Sequence, residues 1–232
     1  MHKIVIQFKY GIYIKEEDFM QDMIKITSKQ HPSVALKAIP GHFVTPNSHV
    51  NYYMDMTTIK SRLSEATAAA KELSTRIAVT TIVDTIVCID GCEIIGAFLA
   101  DELTKAGIYS MNAHKTIYII TPEEISTGQL VFRENFIPMV KGKNVLLLMA
   151  SVTTGQTIVK AMQTLRYYGA SISGISAVFS MANSMMGIPI QALFTLGDIP
   201  DYKAYDPESC SLCKQGKPID AFANAFGYSR IE

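Results

Sequence analysis

The segment with the most chemical content is Val145-Leu146-Leu147-Leu148-Met149-Ala150-Ser151-Val152-Thr153-Thr154-Gly155-Gln156-Thr157. It reads as a buried strand, a turn of small and hydroxyl-bearing residues, and the start of a helix. The first N–H groups of a helix have no acceptor within it, and the helix dipole favours an anion at that end. Thr153, Thr154 and Thr157 would add hydroxyl donors, and Gly155 would let the backbone approach a phosphate closely. The same residues also fit an ordinary threonine N-cap followed by a glycine turn. In open α/β sheets, ligands bind beyond the carboxyl ends of strands, which is where this turn falls.

A second group is Cys210-Ser211-Leu212-Cys213. As a zinc site it would take Cys88 and Cys92 as its remaining ligands. As a redox dithiol it follows no βαβ entry and opens no obvious helix. Two thiols packing as small apolar groups in a tail turn is the default expectation, and no metal is assigned. The five histidines are scattered, and His42 and His49 are each expected as lone surface residues. Met181, Met185 and Met186 cluster after a strand, as filling of the core or a subunit interface. The chain has no Gly-x-Gly-x-x-Gly, no Walker-type loop and no Gly-x-Ser-x-Gly elbow, so dinucleotide oxidoreductases, P-loop nucleotidases and α/β-hydrolases lose support.

Positioning these groups requires a scaffold, and the chain writes one. Residues 1–40 read as a strand followed by a helix, with Glu16-Glu17-Asp18 on its first turn and Phe19, Met20, Met23 and Ile24 at helical spacing. Pro32 and Ile39-Pro40-Gly41 close that segment. A second helix is predicted over about Thr57 to Ile77, rich in alanine. The continuous apolar run Thr85–Ile89 suits a strand buried on both faces, and shorter apolar runs follow at Thr116–Ile120 and Val145–Leu148 and, with a few small polar interruptions, at Ile172–Phe179 and Ile190–Thr195. Helices are predicted at Ile94–Ala106 and Gln156–Tyr168, the latter ending at Gly169. This alternation argues for an α/β doubly wound, mostly parallel sheet. Two segments break the rhythm. Thr121–Gly142 is a long connection without a clear helix, and Asp198–Glu232 has weak periodicity and is expected to wrap the surface.

The 232 residues contain 21 Lys+Arg against 21 Asp+Glu, so no global basic field exists to hold a nucleic acid or an anionic membrane. No apolar run approaches the roughly 18 residues of a membrane span, and the first residues have no signal-peptide character. Four cysteines are too sparse for a disulfide scaffold, so a reduced, cytoplasmic, soluble protein is expected.

The apolar strand, the four-residue spacer Met149 to Val152 and the Thr-Thr-Gly turn resemble the phosphoribosyl diphosphate (PRPP) motif of the type I phosphoribosyltransferases. Within that family the likeness is nearest to orotate phosphoribosyltransferase. Phe43 to Asp55 resembles the base-side segment, with Tyr52 and Tyr53 as its paired aromatics. These two could stack on a base or serve as ordinary core or edge aromatics. Asp90-Gly91-Cys92-Glu93 stands where the family places its diphosphate loop. Cys210 to Pro218 is similar to a Cys-x-x-Cys tail of some bacterial members.

The resemblance implies a small N-terminal hood over 1–56, a phosphoribosyltransferase-like core over 57–200, and a C-terminal extension over 201–232. It implies a glycosyltransferase of nucleotide metabolism that moves phosphoribose from PRPP to a nitrogenous base, with Mg²⁺ bridging the diphosphate and a homodimer as the assembly. Ser151, Val152, Thr153, Thr154, Gly155, Gln156 and Thr157 would hold the 5′-phosphate. No catalytic residue is assigned. Two departures separate this chain from the pattern. Met149 and Ala150 replace the adjacent acids that hold the ribose hydroxyls, and neither side chain can accept such hydrogen bonds. Thr121-Pro122-Glu123-Glu124 brings negative charge where the orotate enzymes carry cations. Arg133, Lys141 and Lys143 could replace those cations only if the loop folds back. A binding module that senses PRPP or a nucleoside monophosphate without turnover is therefore the alternative to a transferase. Asp90 and Glu93 could hold ribose hydroxyls or Mg²⁺ in a rearranged site.

Overall fold

A computed structural model describes residues 23–105, 110–113 and 115–231. The central sheet contains β4 (Thr85–Cys88), β5 (Tyr118–Ile120), β8 (Asn144–Val152), β9 (Ser171–Ser180), β10 (Ser184–Met185) and β11 (Ile188–Thr195). Their order is β10-β11-β9-β8-β4-β5, parallel throughout except for β10 at the edge. Counted along the chain, the five parallel strands run second, first, third, fourth, fifth. The order therefore reverses between β4 and β8, and ligands bind beyond the carboxyl ends of strands at such a point.

The unbroken apolar runs have a simple cause. Successive side chains of a strand point to opposite faces, and both faces here are covered. Ile86, Cys88, Leu146, Leu148 and Ala150 join one buried cluster with Ala66, Ala69 and Leu73. Val87, Ile89, Val145, Leu147 and Met149 join the other with Ile158, Met162 and Leu165. Two helices flank the first cluster, α2 (Leu63–Arg76) and α3 (Glu93–Lys105), while α4 (Gln156–Tyr167) covers the second. The single helix expected over Thr57–Ile77 is broken: Arg62 takes an extended conformation (φ −94, ψ 122), leaving α1 (Thr57–Ser61) before α2. Neither glycine nor proline marks that break.

The hood is a second sheet, built from β1 (Ile24–Thr27), β2 (Ala35–Val44), β3 (His49–Asp55), β12 (Ala204–Tyr205), β13 (Ala221–Asn224) and β14 (Gly227–Arg230). The order is β12-β3-β2-β13-β14, with β1 on the amino half of β2 and β13 on Phe43 and Val44. Three expectations are corrected here. Ile24 opens a strand rather than continuing a helix; the expected strand and helix over residues 1–22 lie outside the described residues. Pro32 does sit in a turn, but Pro40 and Gly41 lie inside β2, at a register shift between Pro40 and Phe43. A bulge is where a strand tolerates proline, and a Cβ on Gly41 would stand 2.7 Å from the Phe43 ring. The tail does not wrap the surface: it supplies β12, β13 and β14 to the hood. Asp220 secures it, accepting from the His42 N–H at 2.7 Å while its own N–H donates to the His42 carbonyl at 2.9 Å.

Thr121–Gly142 forms a short hairpin, β6 (Glu123–Glu124) with β7 (Leu130–Val131), then a 3-10 turn at Ile137–Met139. Hood and core are tied at α2, where the fully buried Glu72 accepts from Ser28 Oγ at 2.6 Å and from Arg76 Nη2 at 2.5 Å. Among the described residues, no helix is long and apolar enough to cross a membrane.

Candidate functional site

At the reversal point two loops meet the same sheet edge. The first follows β8. Gly155 takes left-handed backbone (φ 80, ψ 0) and starts α4 with no side-chain cap. The threonine N-cap reading is thereby excluded. The first helical bond runs from the Val159 N–H to the Gly155 carbonyl at 3.0 Å, so the N–H groups of Gln156, Thr157 and Ile158 precede it without helical acceptors. Among the described residues, no hydrogen bond engages the hydroxyls of Ser151, Thr153, Thr154 or Thr157. Thr154 and Gln156 are exposed, while Val152 and Gly155 are buried. Met185 packs onto the turn, its Cε only 2.6 Å from where a Gly155 Cβ would stand.

The second loop follows β4. Asp90 (φ 61) and Gly91 (φ 76) are consecutive left-handed residues, a conformation that aspartate tolerates better than most side chains. Lys60 on α1 fixes it, donating through Nζ to the Asp90 carbonyl at 2.9 Å and to the Ala225 carbonyl of the hood hairpin at 2.7 Å. Glu93 is exposed at the start of α3 and accepts from Thr121 Oγ1 at 2.7 Å. Burial raises the Asp90 carboxyl above the usual carboxylate range; Lys60 opposes this, and Glu124 and Glu93 reinforce it. Cys92 is fully buried, and burial pushes its thiol well up, so it offers no thiolate to a ligand. Gly96 lets α3 settle on β4, since a Cβ there would lie 2.6 Å from Cys88 Sγ.

None of Arg133, Lys141 and Lys143 takes the place of the missing cations. Arg133 is held by its own hairpin, with Nε and Nη2 each donating to Glu123 at 2.7 Å. Lys141 and Lys143 precede β8, whose nine residues span ~30 Å at strand rise, so they sit at the opposite edge of the sheet from the turn. Met149 and Ala150 lie within β8, 0% and 6% exposed, one on each buried face. The positions that the family pattern fills with acids are core positions here.

Tyr52 and Tyr53 are neighbours on β3 and so point to opposite faces. Tyr53 belongs to an aromatic cluster, its ring 4.9 Å from Tyr228 and 5.7 Å from Phe43. Burial first, then Asp55 and Tyr228, pushes its phenol up to about 12. Tyr52 lies opposite Pro40 and is half-buried.

Sequence reasoning missed one constellation. Cys210 and Cys213 meet His42 and His49, not Cys88 and Cys92. The two histidines expected on the surface are 0% and 8% exposed. His42 Nε2 lies 3.0 Å from His49 Nδ1, 3.7 Å from Cys210 Sγ and 3.6 Å from Cys213 Sγ, and Cys213 Sγ lies 3.3 Å from His49 Nδ1. A usable signal was present: two histidines flanking a short turn, together with a Cys-x-x-Cys.

No protein-family model matches the chain. The structure of UMP synthase from Leishmania donovani matches with a TM-score of 0.51 and 19% identity, over 70% of this chain and 34% of that one. The fold is that of the type I phosphoribosyltransferases. The chain is 26% identical over 187 residues to the orotate phosphoribosyltransferase of Chlorobaculum parvum, covering 79% of this chain and 87% of the relative. It is 31% identical over 99 residues to that of Thermotoga maritima, covering 42% of this chain and 50% of the relative. The protein is phosphoribosyltransferase-like and resembles the orotate phosphoribosyltransferases.

Proposed function

We propose that this protein binds a 5′-phosphoribosyl compound, PRPP or a nucleoside monophosphate, at Ser151–Thr157, and that transfer to a base is impaired. The observation that carries the reading is the uncapped start of α4 at the reversal point of the sheet, where three helix N–H groups and the threonine hydroxyls are available to an anion. Impairment follows from the neighbouring loop. Departure of diphosphate needs positive charge where negative charge develops. Asp90, Glu93 and Glu124 lie there instead, Lys60 is committed to two carbonyls, and Arg133 is paired with Glu123. The ribose hydroxyls lose the acids that the family supplies, because Met149 and Ala150 face the core.

Mg²⁺, which the resemblance implies, has a poor donor set in this chain. A hard cation of that size needs several well-placed oxygens. Burial raises the Asp90 carboxyl, and Glu93 already accepts from Thr121. Homodimerisation, supported by the resemblance, and a cytoplasmic setting, supported by the sparse cysteines, remain part of the reading.

A second reading, active transfer, is favoured by relatives named orotate phosphoribosyltransferase that align over 87% of their length. One experiment separates the two. The protein is incubated with PRPP, Mg²⁺ and a panel of bases including orotate, and diphosphate release is followed. In parallel, thermal stability is measured with ribose 5-phosphate and with nucleoside monophosphates. Stabilisation without diphosphate release is expected. Turnover with any base establishes the transferase, and no stabilisation by any phosphorylated ribose removes the site.

A further inference from the structure

We propose that His42, His49, Cys210 and Cys213 form a closed tetrahedral zinc site that staples the C-terminal tail to the hood. The four ligand atoms, one from each residue, all lie within 4.8 Å of one another. With Zn–N near 2.0–2.1 Å and Zn–S near 2.3 Å, a tetrahedron has edges of about 3.3–3.8 Å. The observed separations are 3.0 Å between the two nitrogens and 3.3, 3.6 and 3.7 Å between nitrogen and sulfur. Two imidazoles with two thiolates suit zinc among the common divalent ions. With all four positions filled by protein, no vertex is left for water or substrate, so the site is structural.

The cluster's convergence on one point suits a metal better than a set of pairwise hydrogen bonds. His42 Nδ1 lies 3.0 Å from the Lys217 carbonyl and 3.1 Å from the Pro218 carbonyl. Both are acceptors, so Nδ1 carries the proton and Nε2 keeps its single lone pair. Three groups, His49 Nδ1, Cys210 Sγ and Cys213 Sγ, converge on that one lone pair. The two thiols also bond to each other and Cys213 reaches His49, but only a cation at the centre engages all four ligand atoms at once. The backbone acceptors on Nδ1 are also the outer support that a metal-bound histidine uses to fix its tautomer. Binding converts two thiols to thiolates, releases two protons to solvent, and leaves a site with no net charge.

The placement gives the metal a purpose. His42 is at the β2 bulge and His49 begins β3, while Cys210 and Cys213 belong to α5 (Ser211–Lys214) and its N-cap. A four-residue helix has no stability of its own in water. The cluster joins residues 168 and 171 positions apart, so metal affinity becomes folding free energy of the hood.

The test uses the full chain expressed in zinc-supplemented medium and purified without chelator. Elemental analysis should give one zinc per chain. Co²⁺ exchanged into the protein should show the intense visible bands of a tetrahedral thiolate complex. Cys213→Ser and His49→Ala should lose the stoichiometric zinc, and Cys92→Ala should keep it. Should the variants fold poorly, the wild type decides: Cys210 and Cys213 should resist alkylation until a zinc chelator is added, and the chelator should lower the melting temperature. Wild-type protein without zinc and without the cobalt bands, thiols alkylated equally fast with and without chelator, or a folded Cys213→Ser retaining full zinc would each overturn the assignment.

Discussion

The turn after β8 and the loop after β4 stand side by side on one sheet edge and use the same backbone device. Each enters left-handed space, at Gly155 in one and at Asp90–Gly91 in the other, and each leads into a helix. Their electrostatics are opposite. The first presents N–H groups and hydroxyls without partners. The second gathers Asp90, Glu93 and Glu124 and ties the Lys60 ammonium to carbonyls. Under the proposed reading, holding a terminal phosphate and neutralising a departing diphosphate are separable tasks of the two loops.

Four substitutions break or sharpen this contrast. The largest effect is expected from Met149→Asp, which restores one family acid. Met149 is 0% exposed among apolar neighbours, so an unpaired carboxylate there should cost on the order of 3 kcal/mol or more of stability in denaturant unfolding. Undiminished stability would show that the position faces a ligand. Next is Gly155→Ala. Left-handed backbone costs a non-glycine residue about 1–2 kcal/mol, and the new methyl meets Met185, so ribose 5-phosphate affinity measured by calorimetry should fall by about tenfold. Equal affinity would remove the cradle.

Asp90→Asn comes third, because asparagine accepts the same backbone. It should tighten PRPP binding severalfold at neutral pH by removing like charge. The sign of the pH effect follows from the raised carboxyl: between the ordinary carboxylate pKa and the higher folded value, the native state holds more protons than the unfolded one. Wild-type stability should therefore decline as pH rises through that window, and the variant should lack the slope. The smallest effect is Glu123→Gln, which frees Arg133. Since both partners are exposed, the melting temperature should stay the same within error, with a modest gain in diphosphate affinity. No gain would mean that Arg133 cannot reach the loop.

What was legible in the sequence follows from how far apart the interacting parts lie. β4 and the middle of β8 are buried on both faces, which forces unbroken apolar runs, and α4 buries Ile158, Met162 and Leu165 at helical spacing. The Thr-Thr-Gly turn is local and was readable as a turn. Its uncapped state was not, because a threonine able to cap and one that leaves the helix open are the same letter. The tail's part in the hood was illegible for a different reason: β13 meets β2 across about 180 positions, and His42 meets Cys210 across 168. No periodicity records such a pairing. Pro40 inside β2 misled because a bulge set by Phe43 and Asp220 absorbs it.

The placement of β13 against β2 also sets an order of events during synthesis. The ribosome delivers the chain from its amino end, so β2 emerges early and its free edge must wait. Everything from α1 to β12 has to appear before residues 221–230 can occupy that edge. An unpaired strand edge invites other chains. A nascent hood is consequently most exposed to misassembly in the interval before its last strands arrive.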